Sequence, residues 1–283
     1  MSRARPLVLL LLLFWFGVQL VAATVFRWQD GAGRIHYTDQ PPQQDLEHTT
    51  IEVISGATTT AMVKRVFDGD TVQLEGWRRV RLIGINTPEV AHRDRPAEAG
   101  GSAAKLALQQ LVEGKEVRIT PDIERKDHYG RILAYLGSEE VEDINQLLLR
   151  RGLAHVVFHP PNVSRADAYL EAEAQARQEK LGIWTLPQFQ ITDIATAGRY
   201  RNTFRRLQGV VVAVEERKRL WILRFANEVK VMIQKEDEEQ FSRAERAPAT
   251  FKGRRLTVRG WVQQSRGEPV VRLKDPRQIE EVE

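Results

Sequence analysis

Three short segments carry most of the residues able to do chemistry: Asp68-Gly69-Asp70-Thr71, then Arg81 leading to Asn86-Thr87-Pro88-Glu89, then Asp127-His128-Tyr129-Gly130-Arg131. Carboxylate oxygens are hard donors suited to a divalent cation, and guanidinium forks match phosphate oxygens. A site holding both is equipped for metal-assisted attack on a phosphodiester. Each segment read alone also has a plain structural explanation. Asp-Gly is a strong hairpin signal, and a glutamate after proline is a common helix-start charge. Arg81 alternates onto the face of Ile83 and Ile85, where an arginine needs an ion-pair partner unless it holds a phosphate at a barrel mouth. Tyr129-Gly130-Arg131 reads either as a turn opening a strand or as a ring for base stacking beside a phosphate-binding arginine. His128 reads as a solvated loop residue, and His155, in an apolar strand, as structural.

The elements that must position these residues are mostly strands. Residues 62–66 and 71–74 flank the Asp68-Gly69 turn, 78–85 form a third strand, and 116–120 and 131–136 supply two more. Leu106, Leu108, Leu111 and Val112 mark a helix over 102–112 with Gly114 as its C-cap. A second helix spans about 142–151 and stops at Gly152. A third opens with the capping box Ser164-x-x-Asp167 and stops at Gly182. Residues 186–200 read as loop. Five further strands, 207–214, 219–225, 228–233, 254–262 and 269–273, make a second small barrel in which Trp221 and Trp261 are either core or binding aromatics.

The chain has 283 residues, enough for two modest domains, and no cysteine, which excludes disulfides, thiolate metal sites and cysteine nucleophiles. Its 42 Lys and Arg against 38 Asp and Glu give a formal charge of +4 and a pI of 9.4. That balance favours polyanionic partners without identifying one. At the N-terminus, Arg3 and Arg5 precede an apolar run over 7–20 and the small residues Val21-Ala22-Ala23. This pattern is expected to be a signal peptide cut before Thr24, which puts the protein in the periplasm or outside the cell. The alternative is an uncleaved anchor in the inner membrane. After cleavage the charge of +4 loses two arginines and becomes +2.

Residues 25–42 form a hairpin signal around Asp30-Gly31, ended by Pro41-Pro42. Their Trp-x-Asp and His-Tyr-Thr-Asp-x-Pro-Pro landmarks resemble a short domain of unknown function in exported bacterial proteins. Over residues 61–186 the chain resembles the staphylococcal nuclease (thermonuclease) family. The likeness rests on the three charged segments, on Leu133-Ala134-Tyr135 and Gly152-Leu153-Ala154, and on Lys180-Leu181-Gly182-Ile183-Trp184. It implies an α+β protein, mainly β with helices: an OB-fold five-stranded barrel with three helices, hydrolysing DNA and RNA with Ca2+ and leaving 3′-phosphate ends. Position by position, it makes Glu89 the general base and Arg81 and Arg131 the phosphate-binding arginines. Asp70, Asn86 and the Thr87 backbone carbonyl become the metal ligands, with Asp68 in the outer shell. Tyr129, His128 and Phe158 become substrate contacts. Asn86 replaces an aspartate of the best-known member, which weakens or alters metal preference because an amide brings no charge. Phe158 stands where a tyrosine is expected and His128 where a lysine is.

The expected organisation is therefore a signal peptide (1–23), a short β-hairpin domain (24–43), a linker (44–60), the nuclease-like OB domain (61–186), a second linker (187–205) and a C-terminal OB-like accessory domain (206–283). A monomer without stable membrane association is expected after cleavage. Two rivals remain: a catalytically weak or inactive nucleic-acid- or protein-binding module on the same scaffold, and a cell-envelope structural protein.

Overall fold

The structure, a computed structural model, describes residues 23–29, 35–38, 48–53, 58–91 and 96–283. The signal segment, the Asp30-Gly31 turn and the Pro41-Pro42 pair lie outside the described residues. No helix among the described residues is long and apolar enough to cross a membrane.

The first three strands, β1 (Ala23–Gln29), β2 (Ile35–Thr38) and β3 (His48–Val53), form a small antiparallel sheet in the order β2-β1-β3. The segment expected as a linker thus contributes β3.

Five strands then close a barrel. They are β4 (Thr59–Asp68), β5 (Thr71–Leu74), β6 (Arg79–Leu82), β8 (Glu116–Lys126) and β9 (Ile132–Gly137), in the order β4-β5-β6-β9-β8 with β8 returning to β4. The two-strand ladder of β7 (Ile85–Asn86) and β10 (His155–Val156) lies beside it. β-Branched and aliphatic residues fill the barrel: Val63, Val66, Val72, Leu74, Val80, Leu82 and Val117 are all buried. The single strand expected over 78–85 is broken at Gly84, which has φ +77° and lies against the Tyr169 ring; a Cβ there would meet that ring at 2.8 Å.

Helix α1 (Gly101–Val112) buries Gly101, Ala104, Leu108 and Val112, whereas Leu106 is exposed, so the buried stripe runs through Ala104 rather than Leu106. Helix α2 (Ile144–Arg150) is capped by Asp143, whose side chain accepts from the Gln146 N–H, and Gly152 past its end has φ +65°. Helix α3 (Ala166–Gln178) lacks the capping box expected at its start. The Ser164 hydroxyl bonds instead to Asp122 at 3.0 Å, and Asp167 pairs with Arg277.

Residues 186–200 are not plain loop: β11 (Ile191–Asp193) pairs in parallel with β12 (Thr203–Val210). The next strands are β13 (Ala213–Glu216), β14 (Leu220–Arg224) and β15 (Lys230–Gln234). Helix α4 (Glu238–Arg243) leads to β16 (Arg255–Ser265), β17 (Glu268–Leu273) and β18 (Ile279–Val282). The strand expected over 207–214 is interrupted between Val210 and Ala213. Its first half, β12, pairs with β16 and its second half, β13, with β14. With that bent strand counted once, the order β12/13-β14-β15-β17-β16 repeats β4-β5-β6-β9-β8, and in each the third and last-placed strands run parallel. Both units also place a helix between the third and fourth strands, the OB-type connectivity expected for the tail.

The units are joined by an apolar cluster of Ala176, Ile183, Trp184, Phe189 and Phe204. Beside it lies a buried ion pair. Arg259 of β16, only 1% exposed, donates from Nη1 and Nη2 to Glu173 of α3 at 2.5 and 2.8 Å, and from Nη2 to the Val156 carbonyl at 3.1 Å. Glu173 in turn accepts from the Val156 N–H at 2.6 Å, and Glu280 links Arg177, Arg206 and Arg259 around the edge. Removing one member leaves a buried charge uncompensated. Glu173→Gln should therefore cost about 3–5 kcal/mol in urea unfolding. The double change Glu173→Leu with Arg259→Met should recover most of it.

Candidate functional site

One end of the first barrel gathers the charged segments. Asp68 pairs with Thr71 across the β4–β5 connection, so Gly69 and Asp70 form the turn. Gly69 is required by close approach: a Cβ would fall 2.6 Å from the Ala104 Cβ and 2.8 Å from two Thr87 side-chain atoms. Asp70 is buried. Its Oδ2 accepts from the Thr87 N–H at 3.1 Å and lies near the Thr87 hydroxyl at 3.3 Å, and its Oδ1 accepts from the Thr71 hydroxyl at 3.1 Å. Asp68, partly exposed, accepts the Asp70 N–H through Oδ1 at 3.1 Å. Burial pushes the Asp70 carboxyl up, Arg81 pulls it back and Asp68 adds to the rise, leaving it at about 6.

Arg81 alternates with the buried Val80 and Leu82 inside β6, but Ile83 and Ile85, expected on its face, lie beyond the strand, which ends at Leu82. The Arg81 guanidinium curls over the strand end and donates to the Ile85 carbonyl and to Asn86 Oδ1, both at 3.0 Å. Its Nη2 is also 3.0 Å from Asp70 Oδ2. Asn86 Nδ2 donates to the Thr87 carbonyl at 3.0 Å. The register opposite His155 in the β7–β10 ladder fixes Asn86 in place.

Glu89 is exposed on the loop that Pro88 stiffens. Its backbone is held by Glu98, whose N–H donates to the Glu89 carbonyl at 2.9 Å and whose Oε2 accepts the Glu89 N–H at 3.2 Å. Helix α1 begins directly beneath it: a Cβ on Gly101 would lie 2.4 Å from the Glu89 carbonyl oxygen. Glu89 lines a cleft of about 130 Å3 with Asn86, His155, Phe204 and Trp261.

Arg131 immediately precedes β9, and β9 runs parallel to β6, so Arg81 and Arg131 issue from neighbouring strands. Asp127 holds Arg131: its Oδ2 accepts from Arg131 Nε at 2.7 Å, and its Oδ1 accepts from the backbone N–H groups of Tyr129 and Arg131 at 2.9 Å. Burial raises the Asp127 carboxyl, but these hydrogen bonds outweigh it and hold the group below the usual carboxylate range. Arg81, Arg131, Asn86 and His128 line one cavity of about 470 Å3. Tyr129, 74% exposed, lines a neighbouring cavity of about 550 Å3 with Arg79, Lys126 and Arg131; its ring is tilted by 42° on His128 at 3.7 Å, with Arg131 at 5.5 Å from its ring.

Phe158, expected beside the substrate, is buried in the first barrel's core, with Arg277 over its ring. It does not line the cavity of Arg81 and Arg131, but it borders the adjoining groove of about 310 Å3 lined by His159, Trp261 and Lys274. His155 is buried as expected, yet neither ring nitrogen has a partner. Burial, then Arg259 and Arg81, pushes its imidazole well below the usual range. Two lining residues carried no sequence signal, Asn162 and His159, the latter held at about 4 by burial and by Arg81 and Lys274, and Trp261, left open between core and binding aromatic, lines the same cavity. Asp127 was legible as part of its motif, its grip on Arg131 was not.

No group of three or more His, Asp or Glu side chains able to hold a metal occurs among the described residues. The donors that fit a hard cation are the Asp70 carboxylate, the Asn86 amide oxygen and the Thr87 carbonyl, with Asp68 behind them. Asp70 and Asn86 oxygens converge on one point, each 3.0 Å from Arg81 Nη2. The raised Asp70 carboxyl marks a buried anion with less positive charge around it than it needs.

A closed five-stranded barrel thus places two arginines on one cavity, with a buried carboxylate behind the first of them, an arrangement compatible with the nuclease class. Residues 79–186 match the family described as staphylococcal nuclease homologue, and residues 12–64 match a domain of unknown function. The chain belongs to the staphylococcal nuclease family. It is 38% identical over 126 residues to a thermonuclease of Staphylococcus intermedius, covering 44% of this chain and 74% of that protein. It is 34% identical over 131 residues to a thermonuclease of Staphylococcus hyicus, covering 44% and 76%. A prophage-derived endonuclease of Bacillus subtilis, YokF, is 32% identical over 126 residues, covering 43% and 42%.

The Asp70 carboxyl gives a prediction whose sign follows from linkage. Its folded value of about 6 lies above the ordinary 3.8. The ionised form therefore costs stability fully above pH 6, and the cost vanishes below pH 4. In chelator, Asp70→Asn should stabilise the protein at pH 8 by on the order of 1–3 kcal/mol and leave it unchanged near pH 3.5. Thermal melts with added calcium should show stabilisation of the parent that the variant lacks.

Proposed function

We propose that the chain hydrolyses phosphodiester bonds of DNA and RNA as a calcium-dependent endonuclease acting outside the cytoplasm. The observation that carries this reading is the convergence of Arg81 and Arg131 on one cavity beside the buried Asp70. A cation held by Asp70, Asn86 and Thr87 supplies, when bound, positive charge against the phosphate. The two guanidiniums offset charge growing on the phosphoryl oxygens as water attacks, and their anchors on Asp127, Asn86 and the Ile85 carbonyl pre-orient them. Glu89, exposed in the adjoining cleft, takes the proton from the attacking water. The attack breaks the P–O5′ bond, so the 5′ oxygen leaves and takes up a proton from solvent as a 5′-hydroxyl, and the phosphate stays on the 3′ end. The N-terminal arginines, apolar run and small residues support export, with a mature chain beginning at Thr24.

One observation favours a weaker enzyme. Asn86 Oδ1 already accepts from Arg81 and the Thr87 carbonyl from Asn86, so two of the neutral oxygen donors would meet a cation with one lone pair committed elsewhere. Plasmid and RNA cleavage titrated with calcium, magnesium and manganese separates the two readings. The proposed enzyme cleaves with calcium, and Glu89→Gln lowers its turnover by about 10²–10⁴. Binding of nucleic acid without cleavage in any of the three metals would establish the binding module instead.

A further inference from the structure

Trp261 is the element that the nuclease reading leaves unused. It sits on β16 of the second unit and is 36% exposed, whereas Trp221 of the same unit is buried. Its indole is the shared wall of three cavities: the one lined by Arg81 and Arg131, the cleft lined by Glu89, and a groove of about 310 Å3 lined by His159, Gln263, Arg272 and Lys274. One side of the ring is braced. Phe204 packs edge-on at 5.4 Å, and His155 lies at 5.8 Å. Two residues earlier, Arg259 is pinned to Glu173 and to the Val156 carbonyl. Because β10, which contains Val156, pairs with β7, the backbone that carries Trp261 is tied to the backbone that carries Asn86.

Beyond the indole the wall is basic. Arg272 and Lys274 are exposed on and just after β17, and neither forms an ion pair among the described residues; Arg272 bonds only to the neutral Gln263 side chain. His159 lines both the cavity of Arg81 and the groove of Arg272 and Lys274, so the two basic regions border the same residue. A braced aromatic face between two sets of cations is the arrangement by which proteins hold an unpaired strand: phosphates track the cations and a base stacks on the ring.

We propose that the second unit completes the nuclease cleft, with Trp261 as the stacking platform for a base next to the scissile phosphate and Lys274 and Arg272 as the phosphate track leading away. The substrate class is then single-stranded nucleic acid, because a base must leave its partner to lie on the ring. This inference rests on the nuclease reading for the position of the scissile phosphate, but the platform is testable without cleavage.

The test uses the full chain. Binding of a fluorescein-labelled oligothymidylate is measured by anisotropy in EDTA for the parent, Trp261→Ala, Trp261→Phe and Lys274→Gln, and cleavage of single-stranded and duplex DNA is measured with calcium. Trp261→Ala should weaken single-strand binding roughly tenfold, with Trp261→Phe restoring most of it. Lys274→Gln should reduce the salt dependence of binding. In cleavage, Trp261→Ala should raise KM more than it lowers kcat and shrink the preference for single strands. Parental binding and strand preference in a folded Trp261→Ala would overturn the platform and leave the nuclease reading intact. Trp261-dependent binding with no cleavage in any metal would sustain the platform and overturn that reading.

Discussion

The ion pair between Arg259 and Glu173 sets the geometry on which the rest depends. An arginine and a glutamate taken out of water are costly to leave unpaired, so the two units are held at the one separation where the fork and the carboxylate meet. Glu173 also accepts from the Val156 N–H, and Arg259 donates to the Val156 carbonyl, so both partners grip the same residue of β10. From there the ladder to β7 transmits the constraint to Asn86 and, through it, to Arg81. A contact between domains therefore reaches Arg81, through backbone hydrogen bonds and the Asn86 amide.

The site itself balances two opposed demands. Asp70 must be buried for its oxygens to meet Thr87, Thr71 and Arg81, and that burial disfavours its charge. In the best-known member, as the resemblance has it, a second aspartate occupies the position of Asn86. Here the amide contributes oxygen without charge, and its Nδ2 bonds the Thr87 carbonyl. The chain keeps Arg81 and Arg131 and sets a neutral amide beside the buried Asp70 carboxyl.

Much of this was readable from residue types. The strand text around β4, β5, β8 and β9, the helix over 102–112 and the OB-type tail follow from hydrophobic period and turn residues, and the three charged segments identify the family. What failed did so where a tertiary partner outbid a local signal. Ser164 offers a capping box in sequence, but Asp122, from another strand, takes its hydroxyl. Leu106 has helical spacing, yet the helix turns Ala104 inward because α1 lies tight against Gly69. Ile83 and Ile85 do not continue the face of Arg81, because β6 ends at Leu82 and Gly84 breaks the backbone just after it. Trp261 was undecided between core and surface, since nothing local separates it from Trp221; only the packing of one barrel on the other does.

The clamp has a consequence in time as well as space. Arg259 and Glu173 are separated by 86 residues, and Arg177 and Glu280 by 103, whereas the ladders of the first barrel close mostly over shorter stretches of chain. Contacts of such long sequence separation form after local ones, since their loop entropy must be overcome first. The arginine-bearing barrel is thus assembled before its far wall arrives. On this ordering the docking of the second unit on the first, through Arg259 and Glu173, closes a longer stretch of chain than the barrel ladders and is the last large-scale contact to form.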